Sequence, residues 1–129
     1  MLQFLLTQIG KIKTAVSSLN SKISTSSGTP ELPSGTTSVG FSVKKSGNVV
    51  TLNGAVTLAN AIAGTNAVVL TLPADCKPSS KIDTYLWATY NNNPGMFHFH
   101  INTSGELVTD VGGNTVSNAI LFPGVSFCV

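Results

Sequence analysis

Arginine is absent from the chain, and charge of either sign is scarce. Charged residues make up 9% of 129 positions, where a soluble domain ordinarily carries about 25%. Seven lysines face five carboxylates (Glu31, Asp75, Asp83, Glu106 and Asp110), leaving a formal charge of +2. Nucleic-acid binding driven by phosphate neutralisation needs clustered Lys and Arg, so no nucleic-acid partner is expected. Two histidines and five acids leave little for proton transfer. The sequence has no GxSxG turn, no glycine-rich phosphate loop and no Cys–His metal spacing. Asp83, Asp110 and Glu106 can pair only if tertiary contacts bring them together. The expectation is a structural or binding protein, not an enzyme, with no catalytic residue and no cofactor. Cysteine is also rare: Cys76 and Cys128 either form one bridge or remain two thiols. One bridge does not make a disulfide scaffold, and free thiols in a reducing compartment are the preferred reading. No apolar run is long enough to cross a membrane. The opening Met1–Leu6 segment lacks the positive start of a signal peptide.

Against these absences stands a hydrophobic content of 42% and a mean hydropathy of +0.28, which favour order over disorder. Leu2, Leu5, Ile9, Ile12, Val16, Leu19 and Ile23 recur at alternating spacings of three and four. This is the a/d seam of a heptad repeat, narrower than the apolar face of a helix packed on its own domain. Isoleucine at both a and d favours trimers or higher states over dimers. Three heptads are marginal alone, so the rest of the chain is expected to share in assembly.

Residues 25–38 read as a linker, rich in Ser, Thr, Gly and Pro, between a coiled-coil neck at 1–24 and a head at 39–129. Prolines 30 and 33 end any helix there. From Val39 onward the pattern is β, with Phe41 and Val43 alternating and Ser46-Gly47-Asn48 as a turn. Asn53-Gly54 resembles a hairpin turn. A turn there would send Val56 and Leu58 to the wrong face, so one strand is expected to run through, with Gly54 marking a bulge or close approach. Further strands are expected at Val68–Leu72, Ile82–Tyr90, Phe97–Ile101, Leu107–Val111, Asn118–Phe122 and Val125–Cys128. The fold expected is an all-β head, an antiparallel sandwich of jelly-roll type, behind an α-helical neck.

Several segments then resemble the C-terminal head modules of phage tail fibres, head fibres and receptor-binding appendages. They are Val43-Lys44-Lys45-Ser46-Gly47-Asn48-Val49-Val50-Thr51-Leu52-Asn53-Gly54, Leu72-Pro73-Ala74-Asp75-Cys76-Lys77-Pro78-Ser79-Ser80, Ile101-Asn102-Thr103-Ser104-Gly105-Glu106-Leu107 and the terminal Val125-Ser126-Phe127. The resemblance implies a homotrimeric β knob on a coiled-coil neck. It further implies a virion component, assembled in the host cytoplasm, whose head adheres to host-surface glycan. A purely structural capsid or tail decoration is the alternative, and a carbohydrate-active enzyme a weaker third. The family carries no universal binding residues. The heptads begin at Leu2, so other virion proteins are expected to be met through the N-terminus, with Phe4 and Leu6, which lie off the seam, as the anchoring side chains.

Candidate ligand residues are Tyr85, Trp87, Tyr90, Asn91, Asn92 and Asn93. Tyr85 and Trp87 share one strand face and present flat surface suited to sugar stacking, although burial in a core or subunit interface is the commoner use of such residues. The asparagines offer amide groups to hydroxyls, and they also make turns. His98 and His100 project from one strand face, opposite Phe97, Phe99 and Ile101. The HxH pair resembles the motif by which some trimeric phage fibres bind iron on their axis, three chains supplying six imidazoles. The competing reading is two surface histidines without support from any carboxylate.

Overall fold

The computed structural model describes the backbone of residues 1–23 and 25–129, and the side chains among these except for residues 20–26. One helix, α1 (Leu2–Ile23), precedes seven strands: β1 (Thr25–Gly28), β2 (Thr37–Ser46), β3 (Val49–Thr57), β4 (Ile62–Thr71), β5 (Ile82–Tyr90), β6 (Asn93–Ile101) and β7 (Glu106–Cys128). A short 3-10 turn at Ala74–Cys76 follows β4. Among the described residues no helix is long and apolar enough to cross a membrane.

Among the described residues, the α1 seam is left exposed to solvent. Leu2, Leu5, Ile9, Ile12, Val16 and Leu19 are 50–71% exposed, and Phe4 and Leu6 are exposed beside them. The side chain of Ile23, last in the expected seam, lies outside the described residues. The stretch expected as a linker is partly knitted into the sheet. Thr25–Gly28 pairs antiparallel with Val43–Ser46, and Glu31 exchanges backbone hydrogen bonds with Thr71 at 2.8 and 2.9 Å.

All strand pairings are antiparallel, in the order β1-β2-β3-β7-β5-β6, with β4 and β6 also paired to β7. Residues of β2 through β7 are fully buried, Val43, Val56, Val69, Leu86, Phe99 and Ile120 among them. An open, flat sheet could not bury them all, so the sheet folds back around its own core. The long β7 makes this possible. Its first part pairs with β4 and β6, and its second part with β3 and β5. The sequence suggested three separate strands here, broken at Pro123-Gly124. Pro123 instead sits inside β7 opposite Asn53, beside a bulge in β7 whose extra residue is Gly124, φ +87°.

β2 and β3 join through Gly47-Asn48 with Ser46 opposite Val49, and Gly47 has φ +58°, as a two-residue hairpin loop demands. β3 runs straight through Asn53-Gly54, with Val50, Leu52 and Val56 all buried on one side. β4 departs from simple alternation. Val69 and Leu70 are both buried while Val68 is exposed, at a register shift between Val68 and Leu70. Buried Thr109 secures this irregular pairing: its hydroxyl donates to Ala63 O at 2.8 Å and accepts from Ala67 N–H at 3.0 Å.

Candidate functional site

The β5–β6 hairpin and the neighbouring part of β7 carry most of the chemistry. The hairpin pairs without interruption from Ile82–Ile101 to Tyr90–Asn93. Asn91 and Asn92 alone form its loop, with φ of +48° and +64°. Two successive left-handed residues make a type I′ turn, a conformation asparagine tolerates better than most. Asn93 closes it, its Nδ2 donating to Asn91 O at 3.0 Å. The three asparagines thus have a structural task at the hairpin tip, and Asn91–Asn93 are exposed there.

Alternation along β5 sends Asp83, Tyr85 and Trp87 outward and Leu86 and Ala88 into the core. The partner strand continues the same outer face, with His100 opposite Asp83, His98 opposite Tyr85 and Met96 opposite Trp87. Tyr85 is 62% and Trp87 44% exposed, so neither is a core residue of the single chain. Tyr90 is turned to the opposite face. It packs on the core beside Phe97, ring centroids 5.3 Å apart, and its hydroxyl accepts from Asn114 N–H at 3.4 Å. It therefore does not join Tyr85 and Trp87 in one surface.

The outer face divides into an apolar and a polar part. Trp87 and Met96, with Val39, Gly54, Leu121 and Pro123, line an open hollow of about 670 Å³. The polar part gathers around His98. Its Nε2 lies 3.1 Å from Asp83 Oδ1 and its Nδ1 3.1 Å from Asp110 Oδ2. His100 Nδ1 lies 3.5 Å from the same Asp110 oxygen, and this buried nitrogen makes no hydrogen bond. Tyr85 tilts against the His98 ring at 5.3 Å. Lys81 Nζ reaches Asp83 Oδ1 at 3.2 Å. The lysine hydrogen bond is the chief reason the Asp83 carboxyl is held below its ordinary range, with the Lys81 and His98 charges adding to it.

The expectation that no carboxylate supports the histidines is therefore corrected. Asp83 from β5 and Asp110 from β7 both reach His98 on β6. Nothing in the sequence pairs these positions, because their meeting depends on the β5–β6 and β6–β7 registers. Glu106 stays apart, accepting from Asn102 Nδ2 at 2.8 Å. Both cysteines are free, Cys76 buried and Cys128 exposed. Burial, reinforced by neighbouring Asp75, raises the Cys76 thiol above its ordinary range.

No protein-family model and no curated protein matches this sequence. Among solved structures, the chain is similar to the receptor binding protein (gp15) of Listeria phage PSA. The TM-score is 0.66, the match covers 95% of this chain and 76% of that one, and the sequences are 16% identical. At that identity the likeness is one of fold: an antiparallel β-rich chain with one N-terminal helix.

Proposed function

We propose that this chain is a phage virion appendage, a homotrimer whose β head attaches to carbohydrate on the host surface. The observation that carries the reading is the unpartnered heptad seam of α1 on a head whose fold is shared with a phage receptor binding protein. A helix of this length with apolar side chains in water is unstable alone and calls for partner helices. Isoleucine at a and d favours three or more helices over two, and three is the number the resemblance to phage fibres implies. Phe4 and Leu6, off the seam, are the contact to other virion proteins. Trimerisation repeats each head three times, so weak single-site adhesion gains by avidity. Exposed Tyr85 supplies a flat apolar face, and Asp83 and His98 beside it supply hydrogen-bonding groups for sugar hydroxyls. In this reading the head binds and performs no reaction.

One observation favours a second reading, a structural capsid or tail decoration. The hollow at Trp87 and Met96 is lined by apolar residues, which suits contact with protein better than with sugar. Two measurements separate the possibilities. Sedimentation equilibrium of the full chain should return three times 13.3 kDa, and Ile12→Asp, which places a charge in the seam, should return the single-chain mass. A wild-type monomer refutes the trimer. The trimer should also bind host cells and purified surface polysaccharide, and Tyr85→Ala should weaken that binding at least tenfold while remaining trimeric. An intact trimer that binds neither would replace adhesion with the structural role.

A further inference from the structure

We infer that Asp83, His98 and Asp110 form a site for a divalent transition-metal ion within a single chain, with His100 as a fourth donor beside Asp110. Each of the three residues offers a ligand atom, and these atoms all lie within 4.8 Å of one another. Bonds of about 2.0–2.1 Å in a tetrahedral zinc site place neighbouring ligand atoms roughly 3.3 Å apart. The two 3.1 Å approaches to His98 use different ring nitrogens, Nε2 toward Asp83 and Nδ1 toward Asp110, so an ion on one of these nitrogens takes one carboxylate at that distance and draws the other in from within 4.8 Å.

Charge points the same way. Two carboxylates whose ligand atoms lie within 4.8 Å of each other concentrate negative charge on this face, which favours a cation beside them. Lys81 meets part of that need through Asp83, but both side chains of this ion pair are more than half exposed, so the lysine can swing into water. His100 gives the independent observation. Its Nδ1 is buried, lacks a hydrogen-bond partner and lies 3.5 Å from Asp110 Oδ2. A buried polar atom without a partner is costly, and an ion held by Asp110 would give this nitrogen one. Mixed imidazole and carboxylate donors suit zinc, cobalt or nickel rather than calcium or magnesium, which favour all-oxygen sites. Because the ligands come from β5, β6 and β7, the ion would tie three strands together on the outer face. This arrangement differs from an HxH pair shared on a threefold axis, since each chain brings its own carboxylates. It shares Asp83 and His98 with the adhesion reading, but its test uses metal without glycan, so the two can fail separately.

The test uses the full-length protein stripped with chelator and titrated with Co²⁺, followed by visible absorption and by melting temperature. The expected result is saturation at one Co²⁺ per chain, with visible bands and a rising Tm. Zn²⁺ should displace the cobalt signal, while Ca²⁺ and Mg²⁺ should not. Asp110→Asn and His98→Ala should each weaken binding at least tenfold, and His100→Ala several-fold, with metal-free circular dichroism unchanged. If a variant fails to fold, wild-type stoichiometry and Asp83→Asn, at the exposed edge of the site, decide the matter. Absence of saturable binding, one ion per three chains, or undiminished binding by Asp110→Asn in a folded protein overturns the inference.

Discussion

Gly54 offers a sharp test of how the head is built. It sits in the middle of β3 with φ +100°, and a Cβ placed on it would run into the backbone of Gly40 and come within 2.6 Å of Phe41 Cα. Gly54→Ala therefore incurs two penalties. The positive φ costs about 1–2 kcal/mol for a residue with a side chain. Forcing β2 away from β3 adds about 1–3 kcal/mol, the usual range for overpacking. Gly40→Ala is the internal control. Gly40 also has positive φ, +60°, but nothing lies within 4 Å of its would-be Cβ, so only the conformational cost of about 1–2 kcal/mol applies. At about 4 °C per kcal/mol for a domain of this size, Gly40→Ala should lower Tm by about 4–8 °C and Gly54→Ala by about 8–20 °C. Scanning calorimetry at one fixed protein concentration reads both, which removes the concentration dependence of an assembling chain. Equal losses for the two variants would refute the close-approach argument. They would fit an exposed turn at Asn53-Gly54, where an added methyl points into solvent.

Two further outcomes follow from burial, beside the seam and metal tests above. Phe99→Ala removes a fully buried ring from the centre of β6 and should destabilise the chain by about 3–5 kcal/mol in urea titrations; a loss under 1 kcal/mol would mean that Phe99 is not a core residue in solution. An exposed Cys128 and a buried Cys76 should give one fast-reacting thiol per native chain with Ellman's reagent at pH 8, and two after denaturation. The raised pKa of Cys76 means that the folded state favours the protonated thiol, so its contribution is intact below the unfolded pKa and fades as pH rises above about 9. Two fast thiols in the native chain would contradict the burial of Cys76.

The local elements were largely legible because their causes are local. The three-four spacing from Leu2 to Leu19 gives a helix with an apolar stripe, and α1 has that stripe exposed. Period-two alternation marked Ile82–Tyr90 as a strand with Tyr85 and Trp87 on one face and Leu86 and Ala88 on the other, but burial of the aromatic pair was the commoner expectation, and only the structure turns it outward. The run of apolar residues on one face argued Gly54 into a continuous strand against the pull of a local turn motif. Where alternation failed, the cause lay across the sheet. Val69 and Leu70 are both buried because β4 shifts register against β7. The segment through Pro123 stays in one strand because Gly124 beside it bulges out of the pairing with β3. Thr25–Gly28, with a linker's composition, becomes an edge strand because β2 offers it unpaired backbone groups.

The sequence by itself therefore determined the helix and its apolar seam, which residues share a face of each regular strand, and the scarcity of charge that limits the available chemistry. These depend on the spacing of neighbours along the chain. Only the tertiary structure decided which scarce charges meet. Asp83, His98 and Asp110 lie on three strands, and the strand registers bring them together on the outer face. Register is set by burial of the opposite face, by Leu86, Phe99 and Leu107 in the core. The placement of the polar cluster thus follows from apolar packing on the other side of the sheet, which no spacing among the charged residues themselves could reveal.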